Sequence, residues 1–398
     1  MSLNPLALPK SRPNFATIMF YRTLSPRLIF GFSLSLGYAL CASLSIAQSV
    51  VTEPVGFTTT SCLSNSDTLV SIPFTRPQAF VGAITSFAGS TLTISGSPGW
   101  TTNQFVYAQG TQPNHYYALI GPAVTTNPKE GHTFPVTANT SSTLTLDTTN
   151  DTLTGIPTNA QVVIIPYWTL ATVFPASDAN ISFTPTTATR TFKTQILIPN
   201  FNATGINPSA AAIYFFSDNV NGVGGVGWRI FGDNVTDHGD DVLIPDGYFT
   251  VRNLNSAPTL PLTAIGGVLT KKLAVPELTN ATSARDNSVS MVRPVGVTLS
   301  ATGLNPADGS FVATTQTRSF QDQLFVFDNS AVAINKSPSA VYFYSNNVNG
   351  VGGIGWRIFG DNTTDHGNDL VAAGSALIIR KAANGAGLPV YWTNAPTY

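Results

Sequence analysis

Past residue 47 the chain never holds apolar residues at the three-to-four spacing of a helix for long. Short runs rich in Val, Ile, Thr, Phe and Tyr recur instead, separated by clusters of Gly, Pro, Asn and Asp. β-Branched and aromatic side chains suit a pleated surface, and the separating residues suit turns, so the pattern predicts an all-β protein. Strands are expected near the amino terminus at 79–87, 91–95, 104–109, 116–120, 143–147 and 161–166. That spacing fits a small meander or barrel. Further strands are expected at 191–198, 211–217, 227–231 and 247–252, each with a counterpart later in the chain.

The counterparts exist because part of the sequence occurs twice. Residues 214–241 and 342–369 align without a gap at an offset of 128, and 23 of the 28 positions are identical. Similarity falls on both sides: from 187 to 213 only 10 of 27 positions match their partners. The middle has therefore resisted divergence, which points to a demanding backbone, a bound ion or a shared partner surface. The pattern predicts a small amino-terminal β domain at 48–158, followed by two tandem homologous β-sandwich or barrel-like repeats at 159–286 and 287–398. Residues 279–288, with no large apolar side chain, form the expected linker.

The first 47 residues read as an export signal. Arg22 and Arg27 precede an apolar run from 28 to 44, and Ser45-Ile46-Ala47 is a small-residue cleavage site before Gln48. Either Met1 or Met19 fits as the start. Cleavage leaves about 350 residues, enough for two or three domains, with a net charge of about −5. That balance suggests neither a nucleic-acid partner nor an anionic membrane surface, and no membrane span is expected after cleavage. Charged residues make up only 10% of the chain, which suits an exported protein. Cys62 is the one cysteine left after cleavage, so no intrachain disulfide is expected.

Within the repeated block Gly222, Gly224, Gly225 and Gly227 recur as Gly350, Gly352, Gly353 and Gly355. A phosphate loop would need a following helix and a lysine; here a strand follows, so these glycines are expected in a tight turn at positive φ. Trp228 and Trp356 are read as core anchors, with a sugar-stacking platform as the alternative use of the same rings. Arg229 and Arg357 invite a planar fork contact and count with the indoles as candidate ligand-binding residues. Asp233, Asp237 and Asp241 return as Asp361, Asp365 and Asp369. Carboxylates on a Gly-containing loop suit Ca²⁺, while the same residues serve equally in Asx-type turns. No GxSxG elbow, HExxH or Cys–His pairing occurs, and Glu53, Glu130 and Glu277 lie far apart in the chain, so no catalysis is expected.

The segments Val55-Gly56-Phe57, Asn65-Ser66-Asp67-Thr68, Ser71 to Pro77, Trp168-Thr169-Leu170 and Leu243 to Gly247 resemble an uncharacterised family of secreted proteins found mainly in verrucomicrobial bacteria. The resemblance implies export and a β-rich build, and no substrate. Ala372-Ala373-Gly374 replaces Ile244-Pro245-Asp246 in the second copy, which weakens a role for Asp246. The sequence thus describes a secreted, non-catalytic structural or adhesive component of the cell surface, extracellular space or periplasm, meeting protein or glycan. The alternative is a carbohydrate-binding protein that stacks sugars on Trp228 and Trp356, or on Trp100 and Trp392. A hydrolase working from the acidic loops is the third reading. Oligomeric state is not encoded in any motif.

Overall fold

A computed structural model describes residues 53–316 and 318–398; the expected export segment lies outside the described residues. β1 (Val55–Cys62) and β2 (Asp67–Val70) come first. Then follow β3 (Phe80–Ala88), β4 (Thr91–Ile94), β5 (Tyr116–Ile120), β6 (Thr133–Asn139), β7 (Thr143–Leu146) and β8 (Gln161–Pro166). These six close into a barrel in the order β3-β4-β7-β6-β5-β8. Alternation explains it: Leu92, Ile94, Leu144, Leu146, Phe134, Val136, Val162 and Ile164 point inward and are buried, while the threonines between them lie nearer solvent. Residues 104–109, expected as a strand, form turns instead. Asn103 takes a left-handed conformation, Asn139 Oδ1 accepts the Phe105 amide at 3.0 Å, and the Phe105 ring plugs the barrel beside Trp100.

β9 (Trp168–Thr169) leads through a helical turn to β10 (Thr194–Pro199), β11 (Ala210–Asp218), β12 (Val226–Ile230), β13 (Val242–Leu243), β14 (Phe249–Asn253) and β15 (Leu260–Gly267). After them come β16 (Leu273–Glu277), β17 (Arg285–Ser290), β18 (Val297–Thr298), β19 (Gln323–Val326), β20 (Ala340–Asn346), β21 (Ile354–Ile358), β22 (Leu370–Val371), β23 (Ala376–Lys381) and β24 (Val390–Asn394). They build two five-stranded sheets, β12-β11-β10-β14-β2 and β21-β20-β19-β23-β17. Each sheet carries the same two-stranded companions: β1–β15 and β9–β13 with the first, β16–β24 and β18–β22 with the second. Each packs its own core, one around Phe174, Phe183, Phe216 and Trp228, the other around Phe311, Tyr342, Trp356 and Trp392.

The pairing corrects the expected boundaries. β1 and β2, placed in an amino-terminal domain ending at 158, hydrogen-bond to β15 and β14 of the first copy. The barrel is thus threaded into that copy between β2 and β9. Likewise β16 pairs with β24, so the second copy starts before residue 287. Residues 279–288 are no linker either, because they include most of the buried strand β17. Its polar side chains are tolerated inside because they are bonded: Asp286 holds Arg380 in a two-pronged pair (2.7 and 3.0 Å), and Asn287 exchanges bonds with the Leu278 backbone.

The two copies grip each other reciprocally. The loop after β19 lies along the outer edge of β2, where the Asp67 amide donates to Ala333 O at 2.8 Å and the Asn335 amide to Asp67 Oδ2 at 2.7 Å. The loop after β10 does the same to β17, with Asp286 N to Gly205 O at 3.1 Å and Asn207 N to Asp286 Oδ2 at 2.7 Å. Ala333 and Gly205, and Asn335 and Asn207, are 128 apart, as are Arg380 and Arg252, which pairs with Asp67 at 2.6 and 2.7 Å. A third exchange sets Ser71 Oγ on Gly374 O (2.6 Å) and the Ser290 amide on Asp246 O (2.9 Å). An unpaired strand edge invites foreign strands; here one edge of each sheet is closed by its twin.

Candidate functional site

The other edge of each sheet is β12 or β21, and the duplicated block is built around it. From Asn219 to Gly227 the chain turns with Asn219, Asn221, Gly222, Gly224, Gly225 and Gly227 all at positive φ, and the twin turn repeats this. Gly224 is required twice over: its φ is left-handed, and a Cβ there would run into the carbonyl of Asn234. That contact brings the acidic loop back over the glycine turn. The loop then closes on the edge strand itself, His238 N donating to Trp228 O and His366 N to Trp356 O, each at 2.9 Å.

Arg229 and Arg357 lock this fold-back. Both are buried, at 2% and 1% exposure. Arg229 donates from Nη1 to its neighbour Trp228 O at 2.8 Å, and from Nη2 to Gly224 O and to Gly225 O at 3.3 Å. Arg357 repeats the set on Trp356, Gly352 and Gly353. Asp237 and Asp365 stand 3.6 and 3.4 Å from the guanidinium groups. The fork contact expected of arginine is present, and its acceptors are the protein's own carbonyls.

The indoles are equally enclosed. Trp228 and Trp356 are each 2% exposed, and Trp228 Nε1 donates to Phe174 O at 3.1 Å. Trp392 is fully buried with Nε1 on Thr302 O at 2.8 Å, and Trp100 sits in the barrel core. None of the four offers a face to a sugar, which corrects the stacking platform drawn from the sequence.

The acidic loops lie at the surface, and their carboxylates accept from donors of the same block. Asp233 Oδ1 accepts the Val235 and Thr236 amides at 2.8 and 3.0 Å, and Asp361 Oδ1 accepts those of Thr363 and Thr364 at 2.9 and 3.0 Å. The bonds from Thr236, with that from Val235, hold Asp233 down at about 2, and those from Thr364 and Thr363 depress Asp361 further. Asp237 and Asp365 accept the Gly239 and Gly367 amides, at 2.9 and 3.0 Å. Asp241 Oδ2 takes Tyr214 Oη at 2.7 Å and stands 3.0 Å from His238 Nδ1; Asp369 repeats this with Tyr342 and His366 at 3.0 and 2.8 Å. Asp233 and Asp241 flank the His238 ring, at 3.9 Å from Nε2 and 3.0 Å from Nδ1, and Asp361 and Asp369 flank His366 likewise. Among the described residues no group of three or more His, Cys, Asp and Glu side chains is placed to hold a metal ion. Of the six carboxylates read as Ca²⁺ ligands, Asp233, Asp237, Asp361 and Asp365 serve as Asx-type turn acceptors, and Asp241 and Asp369 each join a tyrosine to a histidine.

Sequence reasoning overlooked a cavity of about 280 Å³ where the barrel meets both copies. His132, Asp151, Asp246, Tyr167, Asn287 and Tyr391 line it. Asp151 receives Lys129 and stands 2.6 Å from His132 Nδ1, and the Tyr391 ring lies tilted against the His132 ring, their centroids 4.1 Å apart. Burial pushes the Asp246 carboxyl up to about 6. These residues come from segments far apart in the chain, and nothing in their local pattern announces the meeting. No family model, curated protein or solved structure matches the chain.

Proposed function

We propose that this protein is an exported, non-catalytic structural or adhesive component of the cell surface or extracellular space. One observation carries the reading. The side chains that the chain repeats most faithfully, Trp228, Arg229, Asp233, Asp237, Asp241 and their twins, are spent on internal bonds that seal a sheet edge. Fidelity of that kind serves a rigid body, and ligand turnover gives no reason for it. Exposed apolar residues recur beside the sealed edges at matched positions, Val226 and Ile354, Phe231 and Phe359, as a repeated surface on which a protein partner could dock twice. The test is cell fractionation with a tagged chain, paired with limited proteolysis. Export with a protease-resistant body of residues 53–398 supports the reading. Retention in the cytoplasm, or rapid cleavage within 219–241, counts against it.

The carbohydrate-binding alternative moves from the indoles to the junction cavity, favoured there by tyrosine rings beside carboxylates and amides. A glycan array with wild type and Tyr391→Ala separates the two: signal lost in the variant supports it, and no wild-type signal removes it.

A further inference from the structure

The second copy hides three ionisable side chains in one place. Glu277 ends β16, Asp322 precedes β19 and Lys381 ends β23; their exposures are 0%, 0% and 2%. Asp322 and Lys381 form the next cross-strand pair beyond Gln323 and Arg380. Lys381 Nζ touches Asp322 Oδ2, stands 2.9 Å from Glu277 Oε2 and donates to Ser310 O at 2.7 Å. The buried Phe311 ring closes the site, its centroid 5.9 Å from Nζ. Both oxygens of Asp322 accept backbone amides, Oδ2 from Val312 and Oδ1 from Ala382, each at 2.8 Å. Neither oxygen of Glu277 receives an aligned hydrogen bond. Burial pushes its carboxyl up to about 8 against the pull of Lys381, so Glu277 carries a proton at neutral pH.

The first copy shows that the scaffold does not need these charges. At the same offset of 128 Thr194 stands for Asp322, Asn253 for Lys381 and Phe183 for Phe311. Thr194 Oγ1 donates to Asn253 Oδ1 at 2.7 Å, and Asn253 Nδ2 to Cys62 O at 3.0 Å. A neutral pair closes the same position. Two acids and an amine at this depth are costly to desolvate, and they call for an explanation beyond packing.

We propose that Lys381 and Asp322 join covalently, as an intramolecular isopeptide bond formed with Glu277 as the proton-transfer group. The step begins as one proton passes from Nζ to the Asp322 carboxylate it touches, leaving a neutral amine against a neutral carboxyl. The Nζ lone pair attacks Cγ, and the carbonyl electrons move onto an oxygen already facing a backbone N–H, which stabilises the developing charge. Glu277 gives its proton to the departing hydroxyl and recovers one from the nitrogen. The C–O bond breaks, water leaves and an amide remains. Ammonium plus carboxylate becomes amide plus water, Glu277 ends as it began, and nothing is oxidised or reduced.

The test is intact-mass and peptide-fragment mass spectrometry on the full chain, purified folded, beside Lys381→Arg and Glu277→Gln. The wild type should be lighter than its sequence by one water, with one branched peptide joining the segments around 322 and 381. Lys381→Arg should regain the water, and Glu277→Gln should lose the bond while near-UV circular dichroism reports a packed core. A wild-type mass equal to the sequence overturns the proposal. So does a water loss with both peptides linear. A branched peptide persisting in Glu277→Gln overturns the role given to Glu277. The wild-type peptide map decides the bond itself even where a variant does not fold.

Discussion

Replacing Arg229 by Met removes the lock on the first edge cap while keeping an unbranched chain of similar length. The wild-type guanidinium is 2% exposed and reaches three carbonyls, Trp228 O at 2.8 Å, Gly225 O at 3.3 Å and Gly224 O. A hydrogen bond to a charged group contributes about 1.5–3 kcal/mol, and two of these are well made, which gives roughly 3–6 kcal/mol gross. Against this, Met needs no desolvation, and the outer carbonyls of Gly224 and Gly225 can take up water, so the net loss should be about 2–4 kcal/mol. Arg229→Lys retains the charge without the fork and should lose about as much. The assay is urea unfolding followed by tryptophan fluorescence, with Arg357→Met as the internal twin. Both methionine variants should fall in that range, within about 1 kcal/mol of each other. A loss below about 0.5 kcal/mol in either copy would refute the reasoning, since a buried fork that costs nothing to remove is not a lock.

Truncating an indole should be costlier: Trp228→Ala or Trp356→Ala is expected to destabilise by about 3–5 kcal/mol in the same experiment. Asp286→Asn leaves Arg380 without its charged partner and loosens the grip of the loop after β10, at a cost of about 3 kcal/mol; amide exchange at Asn207 and Asp286 should rise together. Asp233, whose folded value of about 2 lies below its unfolded one, stabilises its loop at neutral pH and stops doing so as pH falls from about 4 through 2. NMR shifts of the Val235 and Thr236 amides should move in that window and stay flat above it. Calcium should not change the melting temperature. Saturation at a hundred times Kd would add about 2.7 kcal/mol, a rise that melting curves in millimolar Ca²⁺ and in chelator would reveal.

The strands at 116–120 and 161–166 were legible to the residue because both are short, almost continuously apolar runs, buried on both faces and bounded by turn residues. The repeated block was legible as a backbone demand in its glycines and as a fork in its arginines. The direction of the acidic loops was not, because an Asp that caps a turn and an Asp that binds a cation look alike until their neighbours are in place. The insertion was hidden by its own length. Asp67 to Ser71 and Asp286 to Ser290 share Asp, Val and Ser at equal spacing, but the barrel stretches their offset from 128 to 219, outside the register of the visible repeat. The identical Ile206-Asn207 and Ile334-Asn335 lie in the loops that cap the opposite copy, a signal in otherwise diverged sequence. Glu277 looked isolated in the chain. Only the paired changes from Thr194 to Asp322 and from Asn253 to Lys381, neutral in one copy and opposite in charge in the other, pointed to its cluster.

Native-state hydrogen exchange at the amides of His238 and His366 tests most directly whether the duplicated block seals each sheet from within. Both N–H groups are bonded to an edge-strand carbonyl beneath a loop that would otherwise be exposed. They should exchange at least about a thousandfold more slowly than a free loop amide, and both should lose that protection when the adjacent arginine is replaced. Exchange at the free-loop rate in the wild-type protein would contradict the account.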